Sequence, residues 1–314
     1  MSRGMLGNRR LLERAGAKAA IDTDVFGAMD VNGGHLYPEQ ADRFIDYVID
    51  QSVLFKDGIR VRRMKADRAD LDKIAVGTRV LRAAQEGVAP TDLVGVTASK
   101  RQLSVTEVIM PVDVTFSFFE DNIERENFDD HLMRMMATQL SNDLEDLAIN
   151  GDDGSVDDFI GIEDGWLELL KDAADNIFDT NGGTDFRSAV FPGMLTALPA
   201  KFKANKRNLR YYTSVSNEEA YRFQLGQRQT QGGDQILLNG QPSTYDGIPV
   251  VGVPFMPNTH HLLTIPDNLV FGIRRDVNLG IFKHERKRVY EYTWTLRIDY
   301  QVVETDAAVL AYNS

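Results

Sequence analysis

The stretch FDDHLMRMMATQLSNDLEDLAIN, residues 128–150, decides the fold of this chain. Its apolar residues recur at steps of three and four, the spacing of one helical face; they are Phe128, Leu132, Met135, Met136, Leu140, Leu144 and Leu147. Charged residues fill the other faces, among them Asp130, Arg134, Asp143 and Glu145. Asn127 is the predicted N-cap, and Asn150-Gly151 predicts a left-handed stop. The predicted helix is roughly 33 Å long.

The composition is that of a globular protein with a sizeable core. Of 314 residues, 43% are hydrophobic and 26% are charged, which are ordinary proportions. The chain has no cysteine, so disulfides, thiol nucleophiles and thiolate metal sites are excluded. The formal net charge of -12 argues against a nucleic-acid binder, because phosphate contacts need cations.

The first residues form a basic arm. Five cations face a single acid, Glu13, in the first twenty residues; they are Arg3, Arg9, Arg10, Arg14 and Lys18. No apolar core follows them, which excludes a secretory signal. The longest uncharged stretch, residues 247–266, contains several prolines and therefore predicts no transmembrane helix.

Extended segments precede the long helix. Residues 59–65 and 105–119 have strand-like patterns. They bracket a polar segment, residues 71–104, and together predict a long hairpin that projects from the body. A lone hairpin has too little core to be stable in water, so this one needs a surface to lie on.

The rest of the chain mixes helices and strands. Residues 191–265 have the pattern of a compact α/β unit, with Ser216 as the predicted cap of a helix over 217–225. Alternating aromatic and aliphatic residues over 289–303 predict a strand. The predicted fold class is therefore α+β.

No catalytic, cofactor or metal site is predicted. The chain lacks a nucleophile elbow, a Walker loop and a dinucleotide fingerprint. His260 and His261 are neighbours and would point to opposite faces of a strand, so they cannot easily share an ion. In a calcium-loop alignment Ala148 would occupy an oxygen-ligand position, so a solvated acidic turn explains residues 152–158 better.

Two surface patterns have competing explanations. The acids before the long helix suit the positive end of its dipole, although a pair of opposed carboxylates would suit a glycoside hydrolase. Basic and aromatic residues alternate over 201–212, as on a surface that binds single-stranded nucleic acid. A solvated helix that leads into a core strand explains that second pattern equally well and agrees with the acidic net charge.

The order of these segments resembles that of the major capsid proteins of tailed phages, which have the Hong Kong 97-like fold. The resemblance covers nearly the whole chain and depends on four short motifs in the right order. These are Gly33-Gly34-x-Leu36-x-Pro38, Leu147-Ala148-Ile149-Asn150-Gly151-Asp152, Gly247-Ile248-Pro249-Val250-Val251 with Phe255-Met256-Pro257, and Asp306-Ala307-Ala308-Val309-Leu310.

The resemblance implies a division of the chain into named parts. The long helix would be the spine of the peripheral domain, and the tip of the axial domain would include residues 226–233. The implied parts are an N-terminal arm (1–35), an N-terminal helix (36–57), an extended loop or E-loop (58–110), a peripheral domain (111–190), an axial domain (191–265) and C-terminal strands (266–314).

The resemblance also implies a structural function without enzymatic activity. Pentamers and hexamers of this chain would form an icosahedral phage head around double-stranded DNA, held without sequence-specific contacts, and the head would mature from a procapsid. The shell would assemble in the bacterial host cytoplasm and be part of the virion. Implied partners are a separate scaffolding protein, a portal and a decoration protein, with no membrane contact.

Mixed charges in the hairpin suit contacts between copies that close by symmetry. The predicted assembly contacts are Lys73, Arg79, Arg82 and Glu86. Nothing in the sequence marks a Lys–Asn crosslink, so cohesion is predicted to be non-covalent. The alternatives are an encapsulin-like nanocompartment shell protein, which shares the fold, and, more distantly, a carboxylate-based hydrolase.

Overall fold

A computed structural model describes residues 38–76, 96–121, 128–180, 190–227, 243–274 and 277–312. Its helices are α1 (Pro38–Gln51), α2 (Val53–Lys56), α3 (Phe116–Asp121), α4 (Phe128–Asn150), α5 (Trp166–Ala173), α6 (Val190–Ala197), α7 (Ala200–Lys203) and α8 (Val215–Gly226). Its strands are β1 (Arg60–Met64), β2 (Arg68–Val76), β3 (Val96–Ser104), β4 (Thr106–Thr115), β5 (Ile177–Asp179), β6 (Arg210–Ser214), β7 (Thr244–Tyr245), β8 (Ile248–Val253), β9 (His261–Thr264), β10 (Leu269–Arg274), β11 (Asn278–His284), β12 (Val289–Val302) and β13 (Val309–Tyr312).

The predicted long helix is confirmed as α4, and Leu132, Leu140, Leu144 and Leu147 of its predicted apolar face are buried. Met135 of that face is not. Met135 is 53% exposed and Met133 is buried instead, because about 100° of turn per residue puts residue 135 opposite residues 133, 137 and 144. Glu145, assigned from sequence to a charged outer face, is only 2% exposed. The predicted cap, Asn127, lies outside the described residues.

The chain divides into two compact units. The first comprises Met1–Gln51, Val108–Asp143 and Arg275–Leu296. Within it, the Ser141 hydroxyl donates to the backbone oxygen of Val48 over 2.8 Å, which joins α4 to α1. Strand β11 pairs antiparallel with the first half of β12, and β4 also pairs with β12.

The second unit comprises Ser52–Glu107, Leu144–Arg274 and Arg297–Ser314. Its largest sheet has the strand order β5-β13-β9-β6-β8-β7. This sheet includes β5 and β13, which come from outside the α/β segment 191–265. Helix α8 is capped by Ser214, whose hydroxyl accepts from the Asn217 amide over 3.2 Å; the predicted cap, Ser216, lies inside the helix because β6 runs directly into it.

One part of the core of this unit is aromatic. Phe55 stacks on Phe271 with ring centroids 4.7 Å apart, and Trp166 meets Tyr300 edge to face at 5.6 Å. Both polar groups have partners: the Trp166 indole donates to Val270 O and the Tyr300 hydroxyl donates to Leu144 O. Such pairing is needed because a buried polar group without a partner is costly.

The hairpin forms from different segments than expected. Strand β2 pairs antiparallel with β3 from Arg68 opposite Ser104 to Val76 opposite Val96. The predicted first strand, here β1, instead pairs in parallel with β10, and β10 pairs with the second half of β12. In the described part of the chain, no helix is long and apolar enough to cross a membrane.

Candidate assembly site at the hairpin

The hairpin of β2 and β3 is a separate two-stranded sheet. Its base is apolar: Leu71 and Leu103 are buried in a cluster with Met64 and Val270. Beside this cluster, Lys100 pairs with Asp70 at 3.0 Å and with Asp72 at 3.7 Å, and these side chains are exposed. Among the hairpin residues whose side chains the structure describes, the buried ones therefore lie near its base.

Charged residues hold the hairpin root, which we define as Asp67 and residues 104–107. Asp67 forms ion pairs with Arg274 and, at 2.9 Å, with Arg297. Arg297 also lies 2.7 Å from Glu107. The backbone amide of Val105 donates to Asp67 O over 3.1 Å. Both ends of the hairpin are thus tied to each other and to β10 and β12.

Two poorly solvated carboxyl groups lie beneath the same root. Asp299, on β12, is 5% exposed and accepts a 2.5 Å hydrogen bond from the Ser104 amide. Burial raises the pKa of Asp299 to about 7, and the nearby charge of Glu163 contributes to the rise. Glu163 accepts from the Thr106 hydroxyl, and burial raises its pKa as well.

One of the four predicted assembly contacts lies in the described part of the chain. Lys73 pairs with Glu304 of the same chain at 3.1 Å, and the Lys73 side chain is 30% exposed. Arg79, Arg82 and Glu86 lie outside the described residues. The role of this set in assembly therefore stays a prediction.

The long helix ends for a different reason than predicted. Positive φ angles among the described glycines occur at Gly58 and Gly247, not at Gly151, so the left-handed stop is wrong. A Cβ on Gly151 would lie 2.2 Å from Glu163 O and 2.6 Å from Leu147 O. Glycine is required there because the returning chain passes against the helix end, where Gly165 donates to Gly151 O.

Carboxylates of the acidic loop after α4 accept hydrogen bonds from backbone amides of the same loop. Asp157 accepts from the amides of Phe159 and Ile160, and Asp164 accepts from the Asp153 amide over 2.8 Å. Oxygens of Asp152, Asp153 and Asp164 lie within 4.8 Å of one another. Their backbone hydrogen bonds account for this proximity, and we assign them no ion.

The neighbouring histidines have separate surroundings: His261 is buried and His260 is half-buried. His261 Nδ1 lies 2.9 Å from the Thr213 hydroxyl, and the His260 ring stacks on Tyr312 at 5.5 Å. Burial lowers the pKa of each histidine to about 4. Both rings are therefore neutral near pH 7, and His261 is a core residue.

The basic and aromatic stretch over 201–212 does not form a stacking surface. Tyr211 and Tyr212 are fully buried. Lys201 pairs with Glu304 and Asp306, and Lys206 pairs with Asp246; the three distances are 3.2, 3.3 and 2.5 Å. With its tyrosines buried and these two lysines paired, the stretch matches the solvated-helix explanation.

The sequence did not indicate that Glu145 is, among the described residues, the most buried acid of the second unit. Glu145 accepts from the Ser52 hydroxyl over 2.5 Å and from the Val53 amide over 3.1 Å, at the start of α2. One signal was available: Ser52 interrupts the helical pattern of residues 38–54, and serine is a strong N-cap. Nothing local indicated that the acid would come from a residue so far along the chain.

The chain resembles known proteins over most of its length. It is 33% identical over 290 residues to the prophage capsid protein YqbE of Bacillus subtilis (strain 168), covering 88% of this chain and 91% of that one. The chain belongs to the capsid proteins of tailed phages. It is accordingly a structural protein rather than an enzyme, and its place is the phage virion. No family model matches the sequence.

Solved structures show the same fold for this capsid protein at low sequence identity. The satellite phage P4 procapsid subunit has a TM-score of 0.70 and 13% identity, covering 97% of this chain and 98% of that one. The native GTA particle capsid has a TM-score of 0.59 and 15% identity, covering 83% and 90%. The SrpI encapsulin of Synechococcus elongatus PCC 7942 has a TM-score of 0.51 and 13% identity, covering 81% and 85%.

Proposed function

We propose that copies of this capsid protein assemble as pentamers and hexamers into an icosahedral phage head that encloses double-stranded DNA. The observation that supports this most directly is the hairpin of β2 and β3, a two-stranded sheet with a buried base and exposed charged flanks. Two strands alone are marginally stable in water. A neighbouring copy would supply the missing surface, and repetition of that contact by symmetry would close the shell.

The parts of the fold take their roles from the Hong Kong 97-like arrangement. The hairpin would be the E-loop that lies over the neighbour. Helix α4 would be the spine of the peripheral domain, and the sheet built around β6, β8 and β9 would be the centre of the axial domain. Lys73, Arg79, Arg82 and Glu86 are the proposed contacts of the E-loop.

The remaining partners follow from the same proposal. A separate scaffolding protein, a portal and a decoration protein would join the shell during assembly in the host cytoplasm. DNA would be held without sequence-specific contacts, and the subunits would cohere without covalent crosslinks. Denaturing electrophoresis of purified heads tests the last point: a single monomer band is expected, and a ladder of multiples would contradict it.

Electron microscopy of the purified protein tests the assembly itself. We expect closed shells or ring-shaped capsomers, and a stable monomer at high concentration would refute the proposal. A variant in which Asn-Gly replaces residues 73–99 should keep the hairpin base, because Asp72 and Lys100 are register partners and Asn-Gly favours a two-residue hairpin turn. That variant should fold yet form no shells.

The control is Val156→Ser, a fully exposed position in the acidic loop, which should still form shells. Shells from the shortened variant would show that the outer hairpin is not needed. The encapsulin-like alternative shares the fold and is separated by content: nucleic acid inside the shells supports a phage head, whereas a protein cargo supports a nanocompartment.

A further inference from the structure

The buried carboxyl group of Asp299 has no part in the proposed subunit contacts, yet it bonds directly to the hairpin root. It accepts from the Ser104 amide, the last residue of β3. Two residues later, the Thr106 hydroxyl donates a hydrogen bond to Glu163. Two acids that come from distant parts of the chain therefore hold the same turn between β3 and β4.

The charges around Asp299 do not compensate its burial. Glu163 is a second acid near Asp299, and Asp153 and Asp164 in turn lie near Glu163. Arg297, two residues earlier on β12, is paired with Asp67 and Glu107, and Arg274 on β10 is paired with Asp67. The neighbouring Tyr300 hydroxyl is fully buried and stays neutral. Among the described residues, no cation forms an ion pair with Asp299.

We propose that Asp299 is a pH-sensitive latch for the hairpin, which holds the root closed when its carboxyl is protonated and releases it on ionisation. A protonated carboxyl can still accept from the Ser104 amide through its carbonyl oxygen. Ionisation places two like charges in a poorly solvated site, which favours an opened root where water reaches both. The latch operates within a single chain and does not depend on shell formation.

Proton linkage determines whether the root opens as the pH rises or falls, and over which pH range it does so. The closed root has a raised pKa for Asp299, about 7, whereas an opened, hydrated root would return it towards about 4. The closed state therefore binds more protons between these values. The opened population should rise about tenfold per pH unit through that range and level off above pH 7.

Hydrogen exchange of the full chain, expressed as protection factors, tests the latch. Amides of the hairpin root should lose protection by more than tenfold between pH 5 and pH 7, in line with the linkage slope. Asp299→Asn is nearly isosteric and cannot ionise, so its protection should not vary with pH. Glu163→Gln removes the charge that faces Asp299. The loss of protection in this variant should therefore level off at a lower pH than in the wild type.

Asp113→Asn, an exposed acid on β4, is the matched control and should keep the wild-type profile. A wild-type chain without pH dependence, or an Asp299→Asn variant that retains it, would overturn the latch. If Asp299→Asn does not fold, an unshifted plateau in Glu163→Gln would overturn it equally. Light scattering at each pH separates a change of assembly, which concerns the proposed function, from a change of the hairpin root.

Discussion

The Ser52 hydroxyl donates a 2.5 Å hydrogen bond to Glu145 Oε2, across 93 positions of sequence. The same serine accepts from the Phe55 amide over 3.1 Å and so caps α2. Burial raises the pKa of Glu145, and among the described residues its second oxygen, Oε1, has no hydrogen-bond partner. One buried acid thus fixes the start of α2 against α4.

The first prediction concerns this pair. Ser52→Ala removes both the cap and a donor to the buried acid, so it should lower the free energy of unfolding by about 2 kcal/mol. Glu145→Gln should also destabilise. Because the two side chains bond to each other, the double variant should cost less than the sum of the single ones, by about 1 kcal/mol. Urea unfolding measures this, and strict additivity would contradict the coupling.

A second prediction compares Ser214, which caps α8, with Ser216 inside the helix. Ser214→Ala should lower stability by about 1 kcal/mol because the cap is lost. Ser216→Ala is the control: Ser216 is exposed, and a surface change of this kind should stay within about 0.5 kcal/mol. Thermal unfolding of both variants distinguishes them. Equal effects would mean that the hydroxyl of Ser214 does not stabilise the helix.

A third prediction concerns the end of the long helix. Gly151→Ala would bring a methyl group against the backbone oxygen of Glu163, so the chain must move and stability should fall by about 3 kcal/mol or more. Gly154→Ala, in the same loop, would meet only the side chain of Asp152, at 3.2 Å. It should have a small effect. Soluble yield and melting temperature measure the effect of each substitution. Similar values for the two variants would disprove the close approach of the Glu163 backbone to Gly151.

The fourth prediction is a pH dependence. The pKa of His261 is lowered to about 4 by burial, below the unfolded value, so its neutral form stabilises the fold above about pH 6.5 and that stabilisation is lost as the pH falls towards 4. His261→Asn should remove part of the acid-side slope, by at most about 3 kcal/mol over this range. Asp299 contributes with the opposite sign, but wild type and variant share it. Melting curves from pH 4 to pH 7 provide the comparison, and parallel slopes would contradict the prediction.

Local patterns in the sequence determined the helices and strands well. The bounds of α4 follow from apolar spacing, and β12 follows from the alternation of Tyr292, Trp294, Leu296 and Ile298. Both patterns depend only on 3.6-residue and 2-residue periods within one element. Cysteine content and charge likewise need no coordinates, which is why thiol chemistry could be excluded from the start.

Pairing and burial needed the tertiary structure. The strand-like pattern of β1 says nothing about its partner, and the choice of β10 over β4 depends on a contact between distant segments. The requirement for Gly151 comes from the chain that returns at Glu163, not from the helix that ends there.

The sequence by itself determined that this is an α+β chain with a long central helix and no thiol chemistry, but it assigned the strands of the hairpin to the wrong segments. Only the tertiary structure decided that Glu145 and Asp299 are buried acids and that Met135 is exposed. Backbone periodicity is a local property, whereas the desolvation of a side chain depends on which distant segments cover it.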